Sequence, residues 1–174
     1  ADVAVLTRVG IDHVDYLGTT REAIGFEKAG IFRTGRFAVI GERDIPVSVT
    51  ARAEALGSRL VRLGREFDYA DEHSQWRYRG PGGDRYGLPM PSLRGSFQLA
   101  NAATALAVVD VLRDRLPVSA GAVRDGLVRV EWPARFQVLP GRPTIVLDVA
   151  HNPQAAQALA ATLGEMGFHP RTFA

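Results

Sequence analysis

The sequence predicts an α/β fold built around a mainly parallel sheet. Two observations carry this reading. Short β-branched, apolar runs alternate with longer segments whose apolar residues recur at helical spacing. Thr, Ser or Asn precedes most of the helical segments, as start signals should. No internal repeat or low-complexity tract competes with that pattern.

Residues 3–7 are the first strand, and Gly10-Ile11-Asp12-His13 follows at its carboxyl end. Thr19 or Thr20 caps a helix running to about residue 32, with Glu22 in its first turn. Residues 37–40 form a second strand, ended by Gly41. Pro46 opens a helix to about residue 56, and Gly57 stops it. Residues 59–63 are a third strand. Residues 67–69 and 75–78 read as exposed strands around loops, 80–84 as a turn and 86–93 as extended chain. Ser96 is expected to cap an Ala-rich helix over 97–113, and Ser119 a shorter one to about 128. Trp132-Pro133 reads as a boundary. Beyond it, 144–149 is a buried strand, Asn152 a cap, and Pro153 the first residue of a helix reaching about 166.

The chain opens on a buried-type strand and ends one strand and one helix into a new unit. Such a pair cannot bury its own apolar faces. Residues 1–132 are therefore expected to be the larger part of one domain. Residues 133–174 are expected to hold a linker, over 132–143, and the beginning of a second domain.

The 174 residues are 46% hydrophobic and 23% charged, which is the composition of a soluble globular protein. The longest apolar stretch, 99–112, is broken by Asn101 and Thr104 and is too short for a bilayer. No basic segment precedes Ala1-Asp2-Val3, so no signal peptide is read, and there is no cysteine. A cytoplasmic location is expected. The net charge is +2 and the arginines are scattered without interleaved aromatics, so no nucleic-acid partner is expected.

Twenty of the 21 basic residues are arginine, and Lys28 is the single lysine. A generic surface cation could have been arginine, but a position needing an amine could not. Lys28 stands four after Ile24, three before Ile31 and four before Phe32, on the apolar face of its helix. One reading is a snorkelling side chain with its stem buried. The other is a desolvated amine with a lowered pKa, able to capture CO₂ as a carbamate and so become a carboxylate-like metal ligand. Asp12 and His13 sit at a strand's carboxyl end, where α/β proteins gather ligands; either could serve a Mg²⁺ or acid–base site, or stabilise a turn. Asn101 lies among four alanines. It is either a ligand contact for a purine edge or a buried Asn bonded to backbone. Arg135 follows the proposed linker and could reach a phosphate across a cleft. Asp148 ends a strand, where a carboxylate often accepts from a ribose hydroxyl, and His151 and Asn152 open a helix. The plain alternative makes Arg135 a surface charge and Asn152 only a cap.

Asp12-His13-Val14-Asp15-Tyr16-Leu17-Gly18, followed by Ile24-Gly25-Phe26-Glu27-Lys28-Ala29-Gly30-Ile31-Phe32-Arg33, resembles a signature of folylpolyglutamate synthases and bifunctional dihydrofolate synthases, within the Mur-ligase group. Asn101 to Ala105, Arg135-Phe136-Gln137 and Asp148-Val149-Ala150-His151-Asn152-Pro153 match further motifs of that family in order. The resemblance implies part of a P-loop-type central ATP-binding domain, then the start of a Rossmann-like C-terminal domain. It implies ATP and Mg²⁺ as cofactors, with dihydropteroate or a folate and L-glutamate as substrates, in a monomeric parent enzyme. It implies His13 as a Mg²⁺ ligand and Lys28, carbamylated, as support for a second Mg²⁺. It implies Asn101, Arg135 and Asp148 as ATP contacts toward adenine, phosphates and ribose, and His151 near the nucleotide and the incoming glutamate. The catalytic set is then Lys28, His151 and Arg135.

Two departures stand out. Ala134 occupies a position where many relatives have Gly, and no G-x-x-x-x-G-K-[ST] loop occurs. The 174 residues by themselves are therefore expected to be inactive. A murein-precursor ligase and a non-enzymatic binding remnant are the competing readings.

Overall fold

The computed structural model describes residues 1–12 and 14–167. Strands β1 (Val3–Leu6), β2 (Phe37–Ile40) and β3 (Arg59–Arg62) form a parallel sheet in that order. Val3 stands opposite Phe37, and Phe37 opposite Arg59. A short helix α1 (Val14–Leu17) and helix α2 (Arg21–Lys28), prolonged by a 3₁₀ turn over Ala29–Ile31, cross from β1 to β2. Helix α3 (Val47–Ala55) crosses from β2 to β3.

Strand β2 shows why the sheet is central. Ala38 and Ile40 bury with Leu6, Ile24, Phe32 and Val49 on the side of α2 and α3. Val39, between them, buries on the opposite side with Val61, Trp76, Leu99 and Ala103. Successive side chains of a strand face opposite ways. A run apolar at every position therefore needs cover on both faces. Helix α4 (Gln98–Leu112) supplies the second cover, and it contacts both β2 and the strand Asp68–Asp71. It packs close at Gly41, where an added Cβ would overlap Thr104 Oγ1. Helix α5 (Ala120–Arg129) follows.

Strands β4 (Asp68–Asp71), β5 (Gln75–Arg79) and β6 (Arg85–Pro89) make an antiparallel sheet in sequence order. These segments were expected to be exposed, and the structure corrects that. Phe67 and Trp76 are 0% exposed and Tyr78 1%, while Gln75, Arg77 and Arg79 face solvent. One face of this sheet belongs to the core and the other to water, which is the usual state of an antiparallel sheet.

The polar groups of this layer converge on Asp110 of α4, 4% exposed. Its carboxylate accepts from Tyr78 Oη at 2.7 Å, from Arg85 Nη2 at 2.6 Å and from the Gly82 amide at 3.0 Å. Burial, then the bond to Asp110, pushes the Tyr78 pKa above its ordinary value.

Three expected caps are present. Thr20 Oγ1 accepts from the Ala23 amide, Ser119 Oγ from Ala122 and Asn152 Oδ1 from Ala155. The Ser96 cap is not. The N-cap residue of α4 is Phe97, without a side-chain bond, and the Gln98 amide donates to the Gly95 carbonyl instead. Ser96 stands one residue too early. Pro46 precedes α3 but has no capping oxygen, and Glu22 of α2 fills that place by accepting from the Val47 and Ser48 amides. The Ser48 amide above all holds the Glu22 carboxyl below its usual pKa.

Strands β7 (Gln137–Leu139) and β8 (Ile145–Leu147) pair antiparallel, and helix α6 (Pro153–Glu165) follows. The segment read as linker thus contains β7, three residues too short to show a period. None of the described helices is long and apolar enough to cross a membrane.

Asp110→Ala would leave a guanidinium, a phenol and an amide without their acceptor. We expect a loss of about 3–5 kcal/mol in urea unfolding, with Asp110→Asn costing less. A loss under about 1 kcal/mol would show that the cluster does not bind the two layers.

Candidate active site

The site is built on the loop at the carboxyl end of β1. Val9, 1% exposed, fixes that loop through both backbone groups. Its amide donates to Glu42 Oε2 at 2.9 Å and its carbonyl accepts from Arg21 Nε at 3.0 Å. Arg21 is itself held by Asp44 at 2.9 Å and Glu42 at 3.0 Å. The hydrogen bond that Arg21 donates to Asp44, above all, raises the Arg21 pKa further. Arg21 and Glu42 escaped the sequence reading. The signal lay in an acidic residue directly after Gly41, at the end of β2 and so beside the end of β1.

Asp12 closes this loop and meets the far end of the chain. Asn152 Nδ2 donates to Asp12 Oδ2 at 2.8 Å, across 140 positions of sequence. Asn152 Oδ1 accepts from the Ala155 amide and caps α6, so one carboxamide both starts that helix and ties it to the β1 loop. His151 Nε2 lies 3.8 Å from the same Asp12 oxygen, and its Nδ1 lies 2.8 Å from the Val149 carbonyl.

A cleft of about 760 Å³ separates the two parts. Asp12, Lys28, Asn101, Arg135, Asp148, His151 and Asn152 all line it. Residues picked from scattered motifs thus share one cavity. His13 lies outside the described residues. Lys28 ends α2 and is half-buried, with Ile24 and Phe32 of its face in the core. Asn101 is exposed, which removes the buried-Asn alternative; its amide donates to Gln98 Oε1 at 3.0 Å. Asp148 accepts from the Phe136 amide with Oδ2 and from the Ala150 amide with Oδ1, both at 2.8 Å. Phe97 and Trp132 add aromatic walls that the sequence reading had used only as boundaries. Trp132 is 65% exposed, a large apolar ring with a surface to offer.

The electrostatics are lopsided. Among the described residues, neither Lys28 nor Arg135 pairs with a carboxylate, while Asp148 accepts from two amides and Asp12 from the Asn152 carboxamide, with His151 beside it. The cleft therefore presents cationic groups to a ligand, with a carboxamide and aromatic rings beside them. That set suits a polyanion carrying a flat polar head. Among the described residues, no three His, Asp or Glu side chains gather closely enough to hold a metal ion.

The Asn152–Asp12 bond is testable as a coupling. Asn152→Ala, Asp12→Ala and the double variant form a cycle in denaturant unfolding. We expect the two to interact by about 1–2 kcal/mol. Strict additivity would mean that the contact does not tie α6 to the β1 loop.

Comparison with known proteins agrees with this architecture. The Mur ligase middle domain matches residues 1–109. The dihydrofolate synthase/folylpolyglutamate synthase of Escherichia coli is 39% identical over 174 residues, covering 100% of this chain and 40% of that protein. The enzyme of the same name from Mycobacterium tuberculosis is 35% identical over 94% of this chain and 37% of its own length. Among solved structures, E. coli FolC in complex with DHPP and ADP superposes with a TM-score of 0.83 at 40% identity, over 99% of this chain and 40% of that one. A bifunctional folylpolyglutamate synthase/dihydrofolate synthase with Mn, AMPPNP and L-glutamate bound gives 0.82 at 42% identity, over 95% of this chain and 39% of that one. The chain thus spans about two fifths of the length of these relatives. With its parallel sheet covered on both faces and its motif residues gathered in one cleft, the chain belongs to the Mur ligase family.

Proposed function

We propose that this chain forms one wall of the nucleotide cleft of an ATP-dependent amide ligase, which adds L-glutamate to dihydropteroate or to folates. One observation carries the reading: Lys28, Asn101, Arg135, Asp148 and His151, from both halves of the chain, line the same cavity. Relatives and neighbours carrying the folate-ligase names, including structures with ADP, AMPPNP, Mn and L-glutamate, support it.

The cleft fits a nucleotide. About 760 Å³ lies in the range of small-molecule sites. Bound ATP supplies the phosphoryl group that turns a carboxylate into an acyl phosphate open to attack by an amine. The chain's own residues then do the positioning. Arg135 offers a planar fork to phosphate oxygens and neutralises charge there. The Asn101 carboxamide meets a purine edge. Asp148 accepts from ribose with the lone pairs that Phe136 and Ala150 leave. His151, on the neighbouring lip, stands where the amine of glutamate enters.

The described residues do not by themselves make a Mg²⁺ site, since no three donors converge. His13 and Lys28 remain the proposed contributors from this chain. A neutral Lys28 amine attacks CO₂, forms an N–C bond and releases one proton, leaving a carboxylate-like anion.

In domain terms, 1–132 is the C-terminal part of the ATP-binding domain, and 133–174 is the linker and the beginning of the glutamate-ligase domain. The parent acts as a cytoplasmic monomer, without nucleic acid or membrane. The scattered arginines support the first of these exclusions.

The test is ADP release by the longer protein with ATP, dihydropteroate and L-glutamate. The reading requires release that depends on both acceptor and glutamate. Turnover on a murein-precursor carboxylate instead would overturn it, and so would ATP turnover by the 174 residues alone. Lys28→Arg keeps the charge but not the amine. We expect kcat to fall at least 100-fold, and the wild-type protein to carry a mass increment of one CO₂ at Lys28. Full activity in Lys28→Arg would remove the carbamate.

A further inference from the structure

The turn that carries Arg135 is held in an unfavourable backbone conformation. Ala134 has φ +57° and Phe136 φ +49°. Left-handed backbone is uncommon away from glycine and is a true outlier for a bulky residue such as Phe. Two such residues flank Arg135, and strain of this kind persists only where the surroundings over-determine it.

What over-determines it is visible. The Phe136 amide donates to Asp148 Oδ2 at 2.8 Å, and the Ala150 amide to Asp148 Oδ1 at 2.8 Å. The Val149 amide donates to the Ala134 carbonyl at 3.0 Å, and the Ala134 amide to Gln137 Oε1 at 3.1 Å. Phe136 is 5% exposed, so its ring is anchored while its neighbour Arg135 faces the cleft. One carboxylate thereby bridges the turn at 134–136 to the loop after β8.

We infer that Asp148 is a positioning residue: its carboxylate locks the left-handed turn at 134–136 and so fixes where Arg135 stands in the cleft. Alanine at 134 makes this chain lean on the clamp more than a glycine-bearing chain would, because glycine adopts that conformation without steric cost. The consequence for a phosphate rests on the reading of Arg135 proposed above; the clamp itself does not.

Trypsin tests the clamp without any ligand, because it cleaves after Arg135. In the 174-residue chain, Asp148→Asn should speed cleavage at Arg135–Phe136 at least tenfold, with cleavage at the exposed Arg33 and Arg129 unchanged. Ala134→Gly should slow the Arg135 cut severalfold in the otherwise native chain. Placed on Asp148→Asn, it should recover about fivefold or more of the lost protection. Uniform acceleration at all three arginines would overturn the inference, since it signals global destabilisation. So would an unchanged Arg135 cut, or no rescue by Ala134→Gly. Ala134→Gly alone keeps the test decisive should Asp148→Asn fold poorly: no slowing of the cut would refute the clamp.

In the longer protein, Asp148→Asn should raise the KM for ATP, and Ala134→Gly should bring it back toward the native value. Discrimination against 2′-deoxy-ATP follows the ribose contact alone, so Asp148→Asn should weaken it and Ala134→Gly should not restore it. A KM that Ala134→Gly leaves unrecovered would overturn the inference and make Asp148 a ribose acceptor only. If the longer protein binds no ATP at all, the ligase reading fails, and the protease result still decides the clamp.

Discussion

The structure depends on a constraint set by β2: a strand that is apolar at every position must be covered on both faces. Ala38 and Ile40 take α2 and α3 on one side, and Val39 takes α4 on the other. Parallel strands joined by helices share one direction, so their carboxyl ends lie along one edge. Asp12 is mounted there, on the β1 loop, and Lys28 of α2 and Asn101 near the start of α4 line the same cleft. Arg135, Asp148, His151 and Asn152 come to it from the second part of the chain. The cleft lies between that rim and the second part.

Charged side chains then do backbone work around that rim. Glu42 and Arg21 hold Val9, Glu22 holds the start of α3, and Asp148 holds Phe136 and Ala150. In each case a carboxylate or guanidinium satisfies main-chain groups that a loop or a helix end leaves without partners. This differs from the Asp110 cluster, where the same chemistry is buried and joins two layers. Near the cleft it sets the shape of loops; in the core it secures packing.

Much of this was legible in the sequence. The three parallel strands follow from β-branched runs, and the starts of α2, α5 and α6 from Thr20, Ser119 and Asn152, whose caps form as read. The shared cleft was legible in Asp12, Asp148, His151 and Asn152, which sit at a strand's carboxyl end or a helix start, places that α/β proteins gather; Lys28 ends its helix and stood out as the single lysine. What was not legible depends on distant partners. Phe67, Trp76 and Tyr78 looked exposed because a half-buried strand alternates, and nothing local says that α4 lies over it. The α3 cap was hidden because the accepting oxygens belong to Glu22, on another helix. Strand β7 was too short to carry a period. Ser96 obeyed the local rule, but the helix starts one residue later, after Gly95 turns the chain at φ +116°.

The balance of charge in the cleft follows from the same economy of partners. A carboxylate beside a loop can be satisfied by amide donors, and a guanidinium by carbonyls, as Val9 does for Arg21. At this rim the helix that begins at Asn152 presents its amides rather than its carbonyls, which suits carboxylates. Asp12 and Asp148 are therefore drawn into the fold, while Arg135 has no carboxylate partner among the described residues. The positive end of α6 adds to it. A cleft with this asymmetry attracts anions without needing an excess of basic residues, which is how a chain of net charge +2 can hold a site for a polyanion. The specificity lies in which groups the fold leaves unneutralised, and that is decided by where the helices begin.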